Sequence, residues 1–185
     1  CEDDIAYNSK NLEPGILRVS ENGENLYEAE AIDYKLCDLS PDDIGDILKG
    51  KHSERLPHVI NSDEFDNIFI FWSSHGSSSG KLDFGSSMSI SYEQIKSYLS
   101  MTPRRKLLFA IEACYSGGLG KFCEGLPGTL FITAASPSEP SRASVWSNML
   151  NIYRSNGFTR GFQEAIESNS SISLRDLYYH LARST

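Results

Sequence analysis

Two stretches constrain this chain more than anything else in it. Ile68-Phe69-Ile70-Phe71-Trp72 runs through Ser73-Ser74 into His75-Gly76. Leu107-Leu108-Phe109-Ala110-Ile111 runs through Glu112-Ala113 into Cys114-Tyr115-Ser116-Gly117. Each is a short apolar run with turn residues after it, which reads as a strand buried on both faces. Thr129–Ala134 is a third such run, and it enters the loop 135–141. Helical patterns separate and follow the runs. Ser40-Pro41-Asp42-Asp43 opens a helix through about Leu48, with Gly50 as its stop. Ser91–Ser100 is a second, stopped before Pro103, and 158–167 and 173–183 are two more, the last capped by Ser173. Strand, loop and helix in this order predict an α/β layer fold with a mostly parallel sheet flanked by helices. Residues 76–90 predict a small hairpin, and Ile16–Val19 with Leu26-Tyr27 predict another.

In sheets of this kind, ligands bind beyond the carboxyl ends of the strands. His75, Cys114 and the 135–141 loop all fall at such ends. A thiol beside a base is the composition of a nucleophilic site. Cys114 is the candidate nucleophile, and the amides near Ser116-Gly117-Gly118 are candidate donors to a developing oxyanion. His75 suits the role of base and leaving-group acid, and Gly76 leaves an amide open beside it. A cysteine or histidine at a strand end is often only structural; the pair together turns the reading toward acyl transfer through a thioester. Strand alternation puts Glu112 on the side of Cys114, where a carboxylate needs a partner or a substrate. His52, His58 and His180 read as ordinary, and Cys37 and Cys123 as structural.

Charge and cysteine usage exclude other classes. A formal net charge of −8 argues against nucleic acid as a partner. The four cysteines form no CxxC pair, so neither a zinc site nor a disulfide scaffold is indicated, and the redox compartment stays open. No metal or organic cofactor is expected. No segment reaches the roughly 20 apolar residues of a membrane span. Asn169-Ser170-Ser171 is an acceptor sequon usable on a secretory route.

Several motifs together carry a resemblance: Asp3-Asp4-Ile5-Ala6-Tyr7, Pro14-Gly15, Asp33-Tyr34, the helix from Ser40 to Gly50, Phe69-Ile70-Phe71 with His75-Gly76, Gly80-Lys81-Leu82, and Ile111-Glu112-Ala113-Cys114-Tyr115-Ser116-Gly117. The chain resembles the legumain family, asparaginyl endopeptidases of the caspase-like clan, from residue 3 to about 183. The resemblance implies a caspase-like sheet over a single peptidase domain, 1–185. It implies Cys114 as nucleophile, His75 as its partner, and an oxyanion hole from the Gly76 and Cys114 amides. It also implies that Glu112 and Ser141 line the S1 pocket, and it places Asn156 where the family carries an acid in the S1 wall. An amide there is a donor as well as an acceptor, so P1 choice is expected to be Asn or a related residue, less strictly read. Ser74 and Tyr115 stand where the family often has carboxylates.

The family opens with a strand and helix that carry an Asn orienting the catalytic His and an Arg contacting P1. This chain starts after them, so the expectation is a domain truncated at its N-terminal end, with a separate N-terminal segment completing the sheet. The resemblance further implies a peptide or protein substrate, a prodomain or protein inhibitor as partner, and a lysosomal, vacuolar or secreted location. Two alternatives use the same residues: a transamidase or peptide ligase, in which an amine resolves the thioester, and a non-catalytic peptide-binding relative.

Overall fold

A computed structural model of the chain describes residues 5–7, 11–18, 22–84, 88–148 and 151–184. Among them three strands, β1 (Asn67–Ser73), β5 (Lys106–Glu112) and β6 (Thr129–Thr133), form a parallel sheet in the order β1-β5-β6. Between β1 and β5 the chain builds a small antiparallel sheet, β2 (Gly76–Ser77), β3 (Lys81–Phe84) and β4 (Met88–Ser91), and then helix α2 (Tyr92–Met101). Helix α1 (Pro41–Leu48) precedes β1, and the short α3 (Gly117–Phe122) follows β5. After β6 come a hairpin, β7 (Ala143–Ser147) and β8 (Ile152–Asn156), and helices α4 (Gly157–Ser168) and α5 (Leu174–Ser184). The α/β layering expected from the sequence is what forms.

Alternation along β5 divides the core into two layers. Leu107, Phe109 and Ile111 pack with Ile44 and Leu48 of α1, Ile95 and Leu99 of α2 and Leu119 of α3. Leu108 and Ala110 face the other way, against Phe158, Phe162 and Ala165 of α4 and Leu177 and Leu181 of α5. The central strand is therefore covered on both faces, as its continuous apolar run requires.

β1 departs from the expectation of a strand buried on both faces. Its Ile68, Ile70 and Trp72 are half-buried against the first layer, but Phe69 is 54% and Phe71 37% exposed. Among the described residues β1 is a terminal strand, and its second face meets α4, where Phe69 stacks on Phe162 and Phe71 on Phe158. The predicted hairpin near the N-terminus forms no strands among the described residues: Leu26 N–H reaches Leu17 C=O, and the Asn25 side chain takes the Leu17 N–H. Val19, Cys1, Asp3 and Asp4 lie outside the described residues. Cys37 is disulfide-bonded, whereas Cys114 and Cys123 are free thiols.

Helix starts follow their cap residues. Ser40 and Asp43 exchange side-chain and backbone hydrogen bonds in a capping box ahead of α1, with Pro41 at the first turn. Ser91 and Gln94 do the same for α2, and Ser173 accepts from Asp176 N–H at the start of α5. Burial pushes the Asp43 carboxyl up, but the Ser40 hydrogen bonds and the paired Arg55 outweigh it and hold it below its ordinary value of 3.8. A depressed folded pKa contributes stability that is present above the unfolded value and lost as pH falls through the folded one. Ser40→Ala is expected to cost about 1 kcal/mol and to soften the acid limb below the ordinary carboxylate range. Urea midpoints at pH 7 and pH 3 check both; an unchanged midpoint at pH 7 would contradict the cap's role.

Candidate active site

The parallel register sets the geometry. Trp72 pairs with Ile111 and Ser73 with Glu112, and Ser74 N–H continues the ladder onto Glu112 C=O at 3.0 Å. His75 lies two residues past Ser73 and Cys114 two past Glu112, so the register carries both to the same level at the carboxyl end of the sheet. Their backbones also touch. A Cβ built on Gly76 would lie 2.1 Å from the Cys114 carbonyl oxygen and 3.2 Å from Ala113 Cβ. Only a residue without a side chain fits this approach.

Beyond Cys114 the chain turns sharply. Tyr115 takes a left-handed conformation, φ 59°, uncommon for a residue with a side chain. Its N–H donates to Glu139 C=O at 2.9 Å, and its own carbonyl accepts from Gly118 N–H and from the buried Tyr92 hydroxyl at 3.1 Å. Gly117 N–H donates to Ala135 C=O at 2.9 Å, and a Cβ on Gly117 would lie 2.9 Å from that same oxygen. The 135–141 loop thus clasps the segment that follows the cysteine.

These bonds correct one expectation. The amides of Gly117 and Gly118 are already taken and are not open to an oxyanion. Two others are better placed. Among the described residues no hydrogen bond takes the Cys114 N–H. Asp83 N–H donates to His75 C=O, the pattern that flanks a non-hydrogen-bonded antiparallel pair, so Gly76 opposite Leu82 turns its N–H away from β3.

The Cys114 thiol is half-buried and the His75 ring exposed. No hydrogen bond joins them among the described residues, and catalytic hydrogen bonds are often long or absent in unliganded sites. Cys123, unlike Cys114, is fully buried; burial pushes the Cys123 thiol up to about 11, which leaves it inert.

Glu112 is 1% exposed. One carboxyl oxygen accepts from the Ser141 hydroxyl, and the other, Oε2, has no partner among the described residues. A buried oxygen left without a donor costs about 1–3 kcal/mol, and more if charged, so it is a place where a ligand donor gains most. β5 ends at Glu112; alternation fixes the direction of Glu112 but not that of Cys114 two residues on. Asn156 ends β8 opposite Ala143, two residues from Ser141, and is the N-cap position of α4 without a side-chain cap bond. The structure therefore brings Cys114, His75-Gly76, Glu112 and Ser141 to one end of the sheet and leaves Asn156 one strand pair away. Trp72, Ser74, Tyr92 and the carbonyls of Ala135 and Glu139, which brace the site, are added by the fold. No cluster of three metal-ligating side chains occurs among the described residues.

This arrangement, a thiol at a strand end, an imidazole level with it, two unused amides and a buried carboxylate, suits covalent attack on a carbonyl. Comparison with known proteins agrees in kind. Human legumain is 29% identical over 192 residues, covering 98% of this chain and 44% of that protein. A vacuolar-processing enzyme of Citrus sinensis is 30% identical over 148 residues, 75% of this chain and 29% of its own length. The GPI-anchor transamidase of Saccharomyces cerevisiae is 27% identical over 188 residues, 95% of this chain and 45% of its own. The chain thus spans under half the length of these relatives. The Peptidase C13 family matches residues 1–185 throughout, and on that match the chain belongs to the Peptidase C13 family.

Proposed function

We propose that this chain carries the catalytic site of a cysteine endopeptidase that cleaves after Asn or a related P1 residue. Cys114 attacks the scissile carbonyl, and the Cys114 and Gly76 amides take the oxyanion. His75 receives the thiol proton and returns it to the leaving amine; water then releases the acid and the free thiol. The observation that carries this reading is the shared level of His75 and Cys114, with Gly76 pressed on the Cys114 backbone. P1 choice follows from Glu112, whose unsatisfied Oε2 calls for a donor such as a side-chain amide, and from Ser141 beside it; Asn156, one strand pair away, would bear on P1 only from the rim of the pocket.

The test is cleavage of a peptide library varied at P1. Cleavage is expected after residues whose side chains donate a hydrogen bond, and Glu112→Gln is expected to lower kcat/KM for the preferred P1 by roughly 10- to 100-fold, the worth of a charged hydrogen bond. Unaltered P1 preference in that variant would remove Glu112 from the pocket. A second reading, transamidation, is favoured by the match to the yeast enzyme. Added amine nucleophile then appears in the product in place of water.

The whole protein is proposed to act on peptides or proteins in a lysosomal, vacuolar or secreted setting. The disulfide at Cys37 supports an oxidising compartment. Among the described residues no helix is long and apolar enough to cross a membrane. Among the described residues the outer edge of β1 is unpaired, and this edge with the exposed Phe69 and Phe71 supports a partner segment that adds to the sheet; a prodomain or protein inhibitor is a further proposed partner.

A further inference from the structure

Nothing among the described residues hydrogen-bonds the His75 ring, so whatever holds this residue in place acts on its main chain. Two contacts do so. Asp83 N–H donates to the His75 carbonyl at 2.9 Å. The second is a side-chain relay: Trp72 Nε1–H donates to Ser74 Oγ at 2.8 Å, and Ser74 Oγ–H donates to the same His75 carbonyl at 2.9 Å. We propose that Trp72 and Ser74 are positioning residues for His75, a relay that fixes the base against the nucleophile strand. The inference rests on the catalytic reading of His75 and deepens it.

The direction of the relay is forced. An indole nitrogen can only donate, and a serine hydroxyl has one proton. With Trp72 donating to Ser74, the hydroxyl proton is free for the His75 carbonyl, which can only accept. The relay is also anchored at both ends. Trp72 is half-buried against the core layer of α1 and α2, and Ser74 N–H is bonded to Glu112 C=O on the neighbouring strand. The relay therefore ties the His75 main chain to β5, two residues before Cys114. Because the His75-Gly76 backbone already rests on the Cys114 carbonyl, a shift of a few tenths of an ångström in this turn changes the His75–Cys114 separation directly. Positioning errors of that order are costly to a reaction whose partners must align.

The experiment compares Ser74→Ala, Ser74→Thr and Trp72→Phe in the protein and in a His75→Ala background. Ser74→Ala and Trp72→Phe are expected to lower kcat roughly tenfold with KM and melting temperature little changed, and Ser74→Thr, which keeps the hydroxyl, to restore most of it. In the His75→Ala background Ser74→Ala is expected to have no further effect, because the relay acts only through His75. A second readout does not need hydrolysis: the pH profile of Cys114 alkylation by iodoacetamide is expected to change in Ser74→Ala and not in Ser74→Thr. Equal losses with and without His75, or an alkylation profile identical to the parent protein's, would overturn the relay. Absence of hydrolysis in the parent protein would instead count against the proposed function.

Discussion

Replacing Cys114 by Ala is expected to abolish peptide hydrolysis while the protein stays folded. Removing a covalent nucleophile costs roughly 10⁴-fold or more in kcat, since in the proposed mechanism no other group forms the thioester. The fold has little at stake in the thiol. Cys114 is half-buried and lies in a turn whose hydrogen bonds are made by its neighbours Tyr115, Gly117 and Gly118, so the substitution is expected to cost less than about 1 kcal/mol. Turnover of a fluorogenic peptide and the urea midpoint, measured on the same preparation, separate the two effects. Retained turnover would remove Cys114 from the mechanism.

Gly76→Ala is expected to be nearly as damaging for a different reason. The new Cβ would sit 2.1 Å from the Cys114 carbonyl oxygen, far inside contact distance and against backbone that cannot rotate away. Relief requires moving either the His75 turn or the Cys114 turn. Either movement shifts His75 relative to Cys114 and displaces the two amides proposed to hold the oxyanion. An activity loss of about 100-fold should accompany a stability loss of about 1–3 kcal/mol, the ordinary cost of overpacking. Turnover corrected for the folded fraction distinguishes displacement from unfolding. Corrected turnover within twofold of the parent protein would mean that the close approach of the two strand ends has no bearing on chemistry.

The strand ends were legible in the sequence because two apolar runs of strand length each stop at a chemically capable residue. Cap residues made the first and last of these helices legible, Ser40 and Ser173 most plainly, because a side-chain cap is local; the capping box of Ser91 and Gln94 is added by the structure. Features set by tertiary neighbours were not legible. Phe69 and Phe71 looked like core residues, since an apolar run does not say whether a strand is central or terminal. The β7–β8 hairpin carries mixed small and polar residues, and one of its stabilising contacts, the edge-to-face pair of Trp146 and Tyr153 at 4.9 Å, crosses strands. Helix α3 begins Gly117-Gly118, poor helix formers, and is held by bonds to the 135–141 loop. Those same bonds close the amides that the glycine-rich segment seemed to offer. Ser74 and Tyr92 carry no motif; their hydroxyls matter because of which carbonyls the fold brings to them.

Mass spectrometry after reaction with an electrophilic peptide carrying Asn at P1 tests the central claim most directly. Cys123, buried with its thiol raised to about 11, is an internal control within the same chain. One adduct per chain is predicted, on Cys114, absent from Cys114→Ala and formed markedly more slowly in His75→Ala. An adduct on Cys123 instead, or none on folded protein, would contradict the assignment of Cys114 and His75 as nucleophile and base.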